Sequence, residues 1–234
     1  MSDAKYTPFN AMVDIVAAPG RALDAVKPHT SWLWWPLLIS VLLTCAAFTY
    51  YFSWVDFDWL VDETIADLPA ENRAEAADGV RAFMTPTRST VITCAFIVIL
   101  TFLIYAIQAT YLHVVTKLAT SAEVRYGQWF NFSAWTAFVN VIGAIAIFVV
   151  IFLADNNRLG QDELSPFSMN SLFIHARMGD PWFNWGNSLS LVNIWILFLM
   201  SMGYARWTGS SIIKSTIIAV LPWALIFGVW AVLI

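Results

Sequence analysis

Charge is scarce in this sequence. Only 12% of its 234 residues are Asp, Glu, Lys or Arg, where soluble domains carry about a quarter. Cysteine is nearly absent: Cys45 and Cys94 are the two, and both fall inside apolar runs, where they act as small apolar residues and a disulfide is not expected. There is no CxxC pair and no Cys/His spacing of the zinc type, so no metal site is expected. Also missing are a phosphate-binding loop, a nucleophile–base triad, a nucleic-acid signature and an internal repeat. No catalytic residue, no cofactor and no nucleic-acid partner are therefore expected. The acids Asp62 and Glu63 stand side by side with no His or Cys in their loop, which reads as a solvated acidic face.

What the chain has in abundance is apolar length. Hydrophobic residues make up 59% and aromatics 16%. They gather into five runs, roughly Trp32–Phe52, Ser89–Val115, Trp129–Ala154, Ser188–Trp207 and Ile212–Leu233. Crossing a hydrocarbon core of about 30 Å takes about 20 helical residues. In lipid the backbone must satisfy its own hydrogen bonds, so runs of this kind are helices. The expected fold is an all-α membrane protein of five transmembrane helices, with an N-terminal interfacial helix and two structured outer loops. Its domains are an N-terminal cytosolic segment, 1–30, and a membrane domain, 31–234, with outer loops 53–88 and 155–187.

Lys5, Arg21, Lys27, Lys117, Arg125, Arg206 and Lys214 fall on one side of that topology, and Arg73, Arg81, Arg88, Arg158 and Arg177 on the other. The second set is spread over much longer loops, and every lysine is in the first. The positive-inside rule then puts the N-terminus in the cytoplasm and the C-terminus outside. Trp32, Trp34 and Trp35 open the first run and Tyr50, Tyr51, Phe52 and Trp54 close it, as interfacial aromatic belts do. A cleaved signal peptide does not fit, because the first run starts near residue 31 and is too long.

Before the first run, Phe9, Met12, Val13 and Val16 share one helical face, and Pro19-Gly20 breaks that helix ahead of Leu23 and Val26. This is the pattern of an amphipathic helix lying in the membrane interface. The first outer loop reads as two helical stretches, 57–68 and 70–84, parted by Pro69. The second turns aromatic: Phe167, Phe173, Trp182, Phe183 and Trp185 are too apolar for a solvated loop. They are candidates for contact with the outer leaflet or with a partner protein. Inside the runs the polar residues Gln108, His113, Asn131, Asn140 and Asn193 are candidates for hydrogen bonding between helices, at ~0.6–2 kcal/mol each. No Asp, Glu, Lys or Arg occupies the middle of any run, which argues against a proton-coupled transporter. Pro222 is expected to kink the last helix.

Three stretches resemble the Yip domain family of integral membrane proteins, in its bacterial branch. They are PFNAMVDIVAAPGRAL near the N-terminus, YGQWFNFSAWTAFVNVIG over 126–143, and NIWILFLMSMGYARWTGSSIIKSTIIAVLPW over 193–223. The resemblance implies a non-enzymatic protein of the bacterial inner membrane, with its C-terminus in the periplasm. Such a protein acts as an accessory or scaffold subunit, with an ABC permease and a periplasmic adaptor of an efflux complex as partners beside membrane lipids. The family's eukaryotic link to small GTPases depends on a longer cytosolic region than the roughly 30 residues here. The alternative is a small passive transporter or channel along Gln108, Asn140 and Asn193.

Overall fold

A helix starts at Pro8 because Thr7 and Asn10 close a reciprocal cap: the Asn10 amide donates to Thr7 Oγ1 (3.3 Å) and the Thr7 amide to Asn10 Oδ1 (3.0 Å). This helix, α1 (Pro8–Ala17), ends at Ala18, where φ is −147° and ψ 60°. The next residue is proline, which disfavours helical geometry in the residue before it. Pro19 itself opens α2 (Pro19–Val26). The break expected at Pro19-Gly20 is there, and Leu23 and Val26 are buried on the short second helix.

The computed structural model describes residues 6–66, 68 and 70–234. Lys5, Asp67 and Pro69 lie outside them. Among the described residues the structure is helical, with one isolated β-bridge between Ser168 and Ser190. After a 3₁₀ turn at Thr30–Leu33 come α3 (Trp34–Trp54), α4 (Phe57–Ala66), α5 (Ala70–Phe83) and α6 (Pro86–Ala119). They are followed by α7 (Tyr126–Ala137), α8 (Val141–Leu153), α9 (Pro181–Ser188), α10 (Leu191–Thr208) and α11 (Ile212–Leu233).

Among the described residues four helical stretches are long and apolar enough to cross a membrane: Thr30–Trp54, Pro86–Ala119, Tyr126–Leu153 and Ile212–Leu233. The fourth apolar run of the sequence forms α10, an 18-residue helix. Asn193, Arg206 and Thr208 dilute its hydropathy, and it is not among the four. The 34 residues of α6 rise about 51 Å, well beyond the hydrocarbon thickness. Phe96, Ile99, Leu103 and Ile107 are exposed along it, an apolar surface that suits lipid. Pro222 lies inside α11, which continues through it as one helix.

The third run is helical throughout as one candidate span, Tyr126–Leu153, but not α-helical throughout: a 3₁₀ turn, Phe138–Asn140, separates α7 from α8. Before the turn, Thr136 Oγ1 donates to the carbonyls of Phe132 (3.0 Å) and Ser133 (3.2 Å). Hydroxyl groups that bond back onto their own helix loosen and bend it.

The chain folds into two units. The first holds the described residues up to Val41, with Leu100–Val141 and Val192–Val229. Its core is aromatic. Trp129 stacks on Tyr204 at 5.5 Å between ring centroids and leans on Trp207 at 5.4 Å. Phe132 meets both indoles edge-on, at 5.3 and 4.9 Å. Ala11, Ile15, Leu23 and Val26 of the N-terminal helices pack into the same cluster, as do Leu112 of α6 and Ile218 of α11.

The second unit holds Leu42–Ile99, Ile142–Leu191 and Trp230–Ile234. Tyr51, Phe52 and Val55 of α3, Leu60 of α4 and Ile147 and Ile151 of α8 close around Leu159 and Leu164 of the second loop. Cys94 Sγ lies 3.9 Å from the Cys45 carbonyl oxygen in this unit, and both thiols are free.

Candidate functional site

Two places bring polar groups together, one in each unit. The first is a socket that holds the end of α2. The last carbonyls of a helix lack partners within it and must find them elsewhere. Here side chains supply them from far along the chain. Trp207 Nε1 donates to the Leu23 carbonyl (2.9 Å), Asn131 Nδ2 to that of Val26 (2.8 Å) and Gln128 Nε2 to that of Lys27 (3.1 Å). His29 Nδ1 sits 2.9 Å from the Ala25 oxygen, and Lys27 Nζ donates to the Trp207 carbonyl (2.9 Å). Outside the socket, Arg206 makes a two-pronged ion pair with Asp24, its Nε at 2.8 Å, which holds the Asp24 carboxyl below its usual range.

Within the N-terminal pair, Asp14 is the buried acid. It receives Arg21 Nε (2.7 Å) and Nη2 (2.8 Å) and the Tyr6 hydroxyl (2.7 Å). Arg21, and then Tyr6, hold its carboxyl below the ordinary carboxylate range. Burial, and then Asp14, push the Tyr6 phenol up. A carboxyl lowered on folding stabilises the fold fully above the unfolded value of about 3.9 and stops doing so as pH falls through the lower folded value. Docking of α1 on α2 is therefore expected to hold at neutral pH and to loosen only below about pH 4. Amide exchange of residues 8–17, compared at matched intrinsic rates, checks this. Asp14→Asn should be looser at neutral pH and lack the acid step; an acid step unchanged in that variant refutes the assignment.

The second place is the pair of loops in the second unit. The first loop carries α4 and α5, near the stretches expected. The second docks on the first through its leading half. Tyr51 Oη donates to the Leu159 carbonyl (2.7 Å), the Asp56 amide to the Asn157 carbonyl (2.7 Å), and Arg158 pairs with Asp56 (3.2 Å). The trailing half folds on itself. Asn170–Ile174 makes one π-helical turn, closed by Asn170 bonding both ways to Ala176 (2.9 and 3.1 Å). Asp180 caps α9 through the Trp182 amide (2.8 Å). α9 then lies against the π turn at Gly186, where a Cβ would meet Ile174 Cδ1 at 2.8 Å.

The aromatic candidates divide accordingly. Phe183 is 7% exposed and is a packing residue of the loop, while Phe167 and Trp185 are half-buried. Phe173, at 63%, and Trp182, at 41%, present open apolar surface. The polar candidates divide too. Asn131 is fully buried and anchors α2. His113 Nδ1 reaches the Val124 carbonyl (3.2 Å) and faces the edge of Tyr126. Gln108 is half-buried, its Nε2 without a partner among the described residues. Asn140 is exposed on the 3₁₀ turn. Asn193 is half-buried, with no side-chain hydrogen bond among the described residues. The socket residues Gln128 and Trp207 were not among the sequence candidates, because nothing local marks either as the partner of a carbonyl about a hundred or more positions away.

Three cavities accompany these features. One of about 520 Å³ lies between Ala119–Ala122 and Thr208–Ser211, beside Lys214. One of about 400 Å³ is an apolar cleft between Tyr50 and Phe148–Leu153. The third, about 600 Å³, lies between the two loops. Among the described residues no group of His, Cys, Asp and Glu could hold a metal ion.

Long apolar helices and an aromatic helical core define an integral membrane protein of the α-helical class. The chain belongs to the Yip1 domain family, whose model matches residues 13–233. Neither a curated protein nor a solved structure matches it.

Proposed function

We propose that this protein is a non-enzymatic scaffold subunit of a bacterial inner-membrane assembly, built on five spans. The fifth span is α10, whose 18 residues rise about 27 Å, close to the hydrocarbon thickness. The N-terminus is cytoplasmic, and both long loops and the C-terminus are periplasmic. α1 lies in the interface, a reading supported by the exposure of Phe9, Val13 and Val16 on one of its faces. The partners are an ABC permease and its periplasmic adaptor, gripped through the outer loops.

The observation that carries this reading is the filled interior of the first unit. Trp129, Phe132, Tyr204 and Trp207 are all buried and in ring contact. Gln108, Asn140 and Asn193 line none of the three described above.

The test is purification of the tagged protein in mild detergent, with the co-purifying proteins identified. Phe173→Ala with Trp182→Ala is the informative variant, since Phe183 is internal to the loop and its loss confounds folding with docking. Exposed anchors of this kind are worth about 2 kcal/mol at an interface, about thirtyfold in affinity. The variant is expected to insert normally and to lose the permease and adaptor. Cysteines placed at Glu75 and Gln161 should react with an impermeant reagent from the periplasmic side. Solute flux through reconstituted protein that Gln108→Leu abolishes would establish the channel instead.

A further inference from the structure

The cavity between the loops has a definite chemistry. Trp59 and Leu60 of α4 and Met178 of the second loop give it apolar walls. Glu63, Asp162 and Glu163 bring three carboxylates to the same lining, against one guanidinium, Arg177. Glu163 is engaged, since its Oε1 accepts from the Gly160 amide at 2.9 Å. The side chains of Glu63 and Asp162 have no ion pair or hydrogen bond among the described residues. Their neighbours are differently placed: Asp56 is paired with Arg158 (3.2 Å) and Asp62 with Arg81 (2.7 Å).

The volume, about 600 Å³, falls in the range of ligand-holding clefts, about 300–1,000 Å³. The lining asks for positive charge, yet among the described residues no group is arranged for a metal ion. A guanidinium or ammonium on a carbon chain fits better. Its charge meets carboxylates with charge-assisted hydrogen bonds, and its stem lies along apolar wall. The half-buried Trp59 indole offers a face for the same cation.

We propose that this groove is the docking site for a short basic segment of a partner protein, in which Arg or Lys alternates with an apolar residue. The inference rests on the scaffold reading and names the partner chemistry at one point of the outer loops. Glu63 and Asp162 take the positive charges, and Trp59 and Met178 take the apolar side chains. Arg177 opposes any further cation and limits the site to a segment of low charge density.

The probe is a fluorescently labelled peptide alternating Arg and Leu, with a Glu–Leu peptide as its charge-reversed control. Anisotropy is read on the full-length protein in an uncharged detergent. The Arg–Leu peptide should bind, more weakly at higher salt, and the Glu–Leu peptide should not. Glu63→Gln with Asp162→Asn should weaken binding about tenfold, the scale of two lost charge contacts. Arg177→Gln should tighten it. Glu75→Gln with Asp78→Asn removes the same charge from α5 and should leave affinity unchanged. Equal weakening by both pairs marks bulk charge attraction and overturns the groove. So does an Arg–Leu peptide that fails to bind, or one that the Glu63/Asp162 pair does not affect. If partner proteins still co-purify in any of those cases, the groove falls and the scaffold reading stands.

Discussion

Replacing Trp207 by alanine is expected to cost about 3–5 kcal/mol, the range of large-to-small changes at a buried tryptophan. The ring touches Trp129 and Phe132 at centroid distances of 5.4 and 4.9 Å. In a lipid-facing fold the loss comes from dispersion contacts and the cavity left behind, because lipid tails are as apolar as the protein interior. A second loss is polar. The Leu23 carbonyl would lose its indole N–H, bound at 2.9 Å, and a buried acceptor without a partner costs about 1–3 kcal/mol. Trp207→Phe separates the two, keeping most of the ring and deleting the donor. Thermal unfolding in detergent should rank parent above Trp207→Phe and Trp207→Ala lowest. Amide exchange at 19–26 should rise in both variants. An alanine variant as stable as the parent would mean that the aromatic cluster does not hold the first unit together.

Gly203→Ala should also destabilise, although it adds one carbon. A Cβ there would run into Phe132 Cε2 and would lie 2.8 Å from its Cζ and 3.3 Å from Leu23 Cδ1. Phe132 is fully buried between Trp129 and Trp207 and has little room to retreat. Overpacking of this kind costs about 1–3 kcal/mol, and Gly203→Val should cost more. Phe132→Leu in the Gly203→Ala background should recover part of the loss, because the two positions share one space and their effects are not additive. Strict additivity in that double-mutant cycle would show that the close approach is absent in the folded protein.

Gly203 also shows which parts of this molecule the sequence discloses. Its small size allows close helix packing, but the ring it meets lies in another helix and has no local signal. The helices of the first long loop and the break at Pro19 were legible, since proline, capping residues and apolar periodicity act within a few positions. The 3₁₀ turn at Phe138–Asn140 was not: it contains neither proline nor glycine, and its preceding cue is Ser and Thr hydroxyls bonding backward. The aromatic loop was visible as an anomaly of composition. That Phe183 faces inward while Phe173 and Trp182 face outward depends on the π turn against α9, which no periodicity announces. Membrane residence was the plainest inference, because it follows from apolar length alone.

The socket at the end of α2 has a consequence for how the protein is made. Its three side-chain donors follow the carbonyls they serve by 184 residues for Trp207, 105 for Asn131 and 101 for Gln128. At about 5–20 residues per second, α2 leaves the ribosome on the order of ten seconds or more before Trp207 exists. Throughout that interval its terminal carbonyls must be met by water or lipid headgroups. The N-terminal helices therefore reach their final seat only once the fourth apolar segment has been made. A chain stalled before that point carries an undocked N-terminus, with the Leu23, Val26 and Lys27 carbonyls still without these side-chain donors.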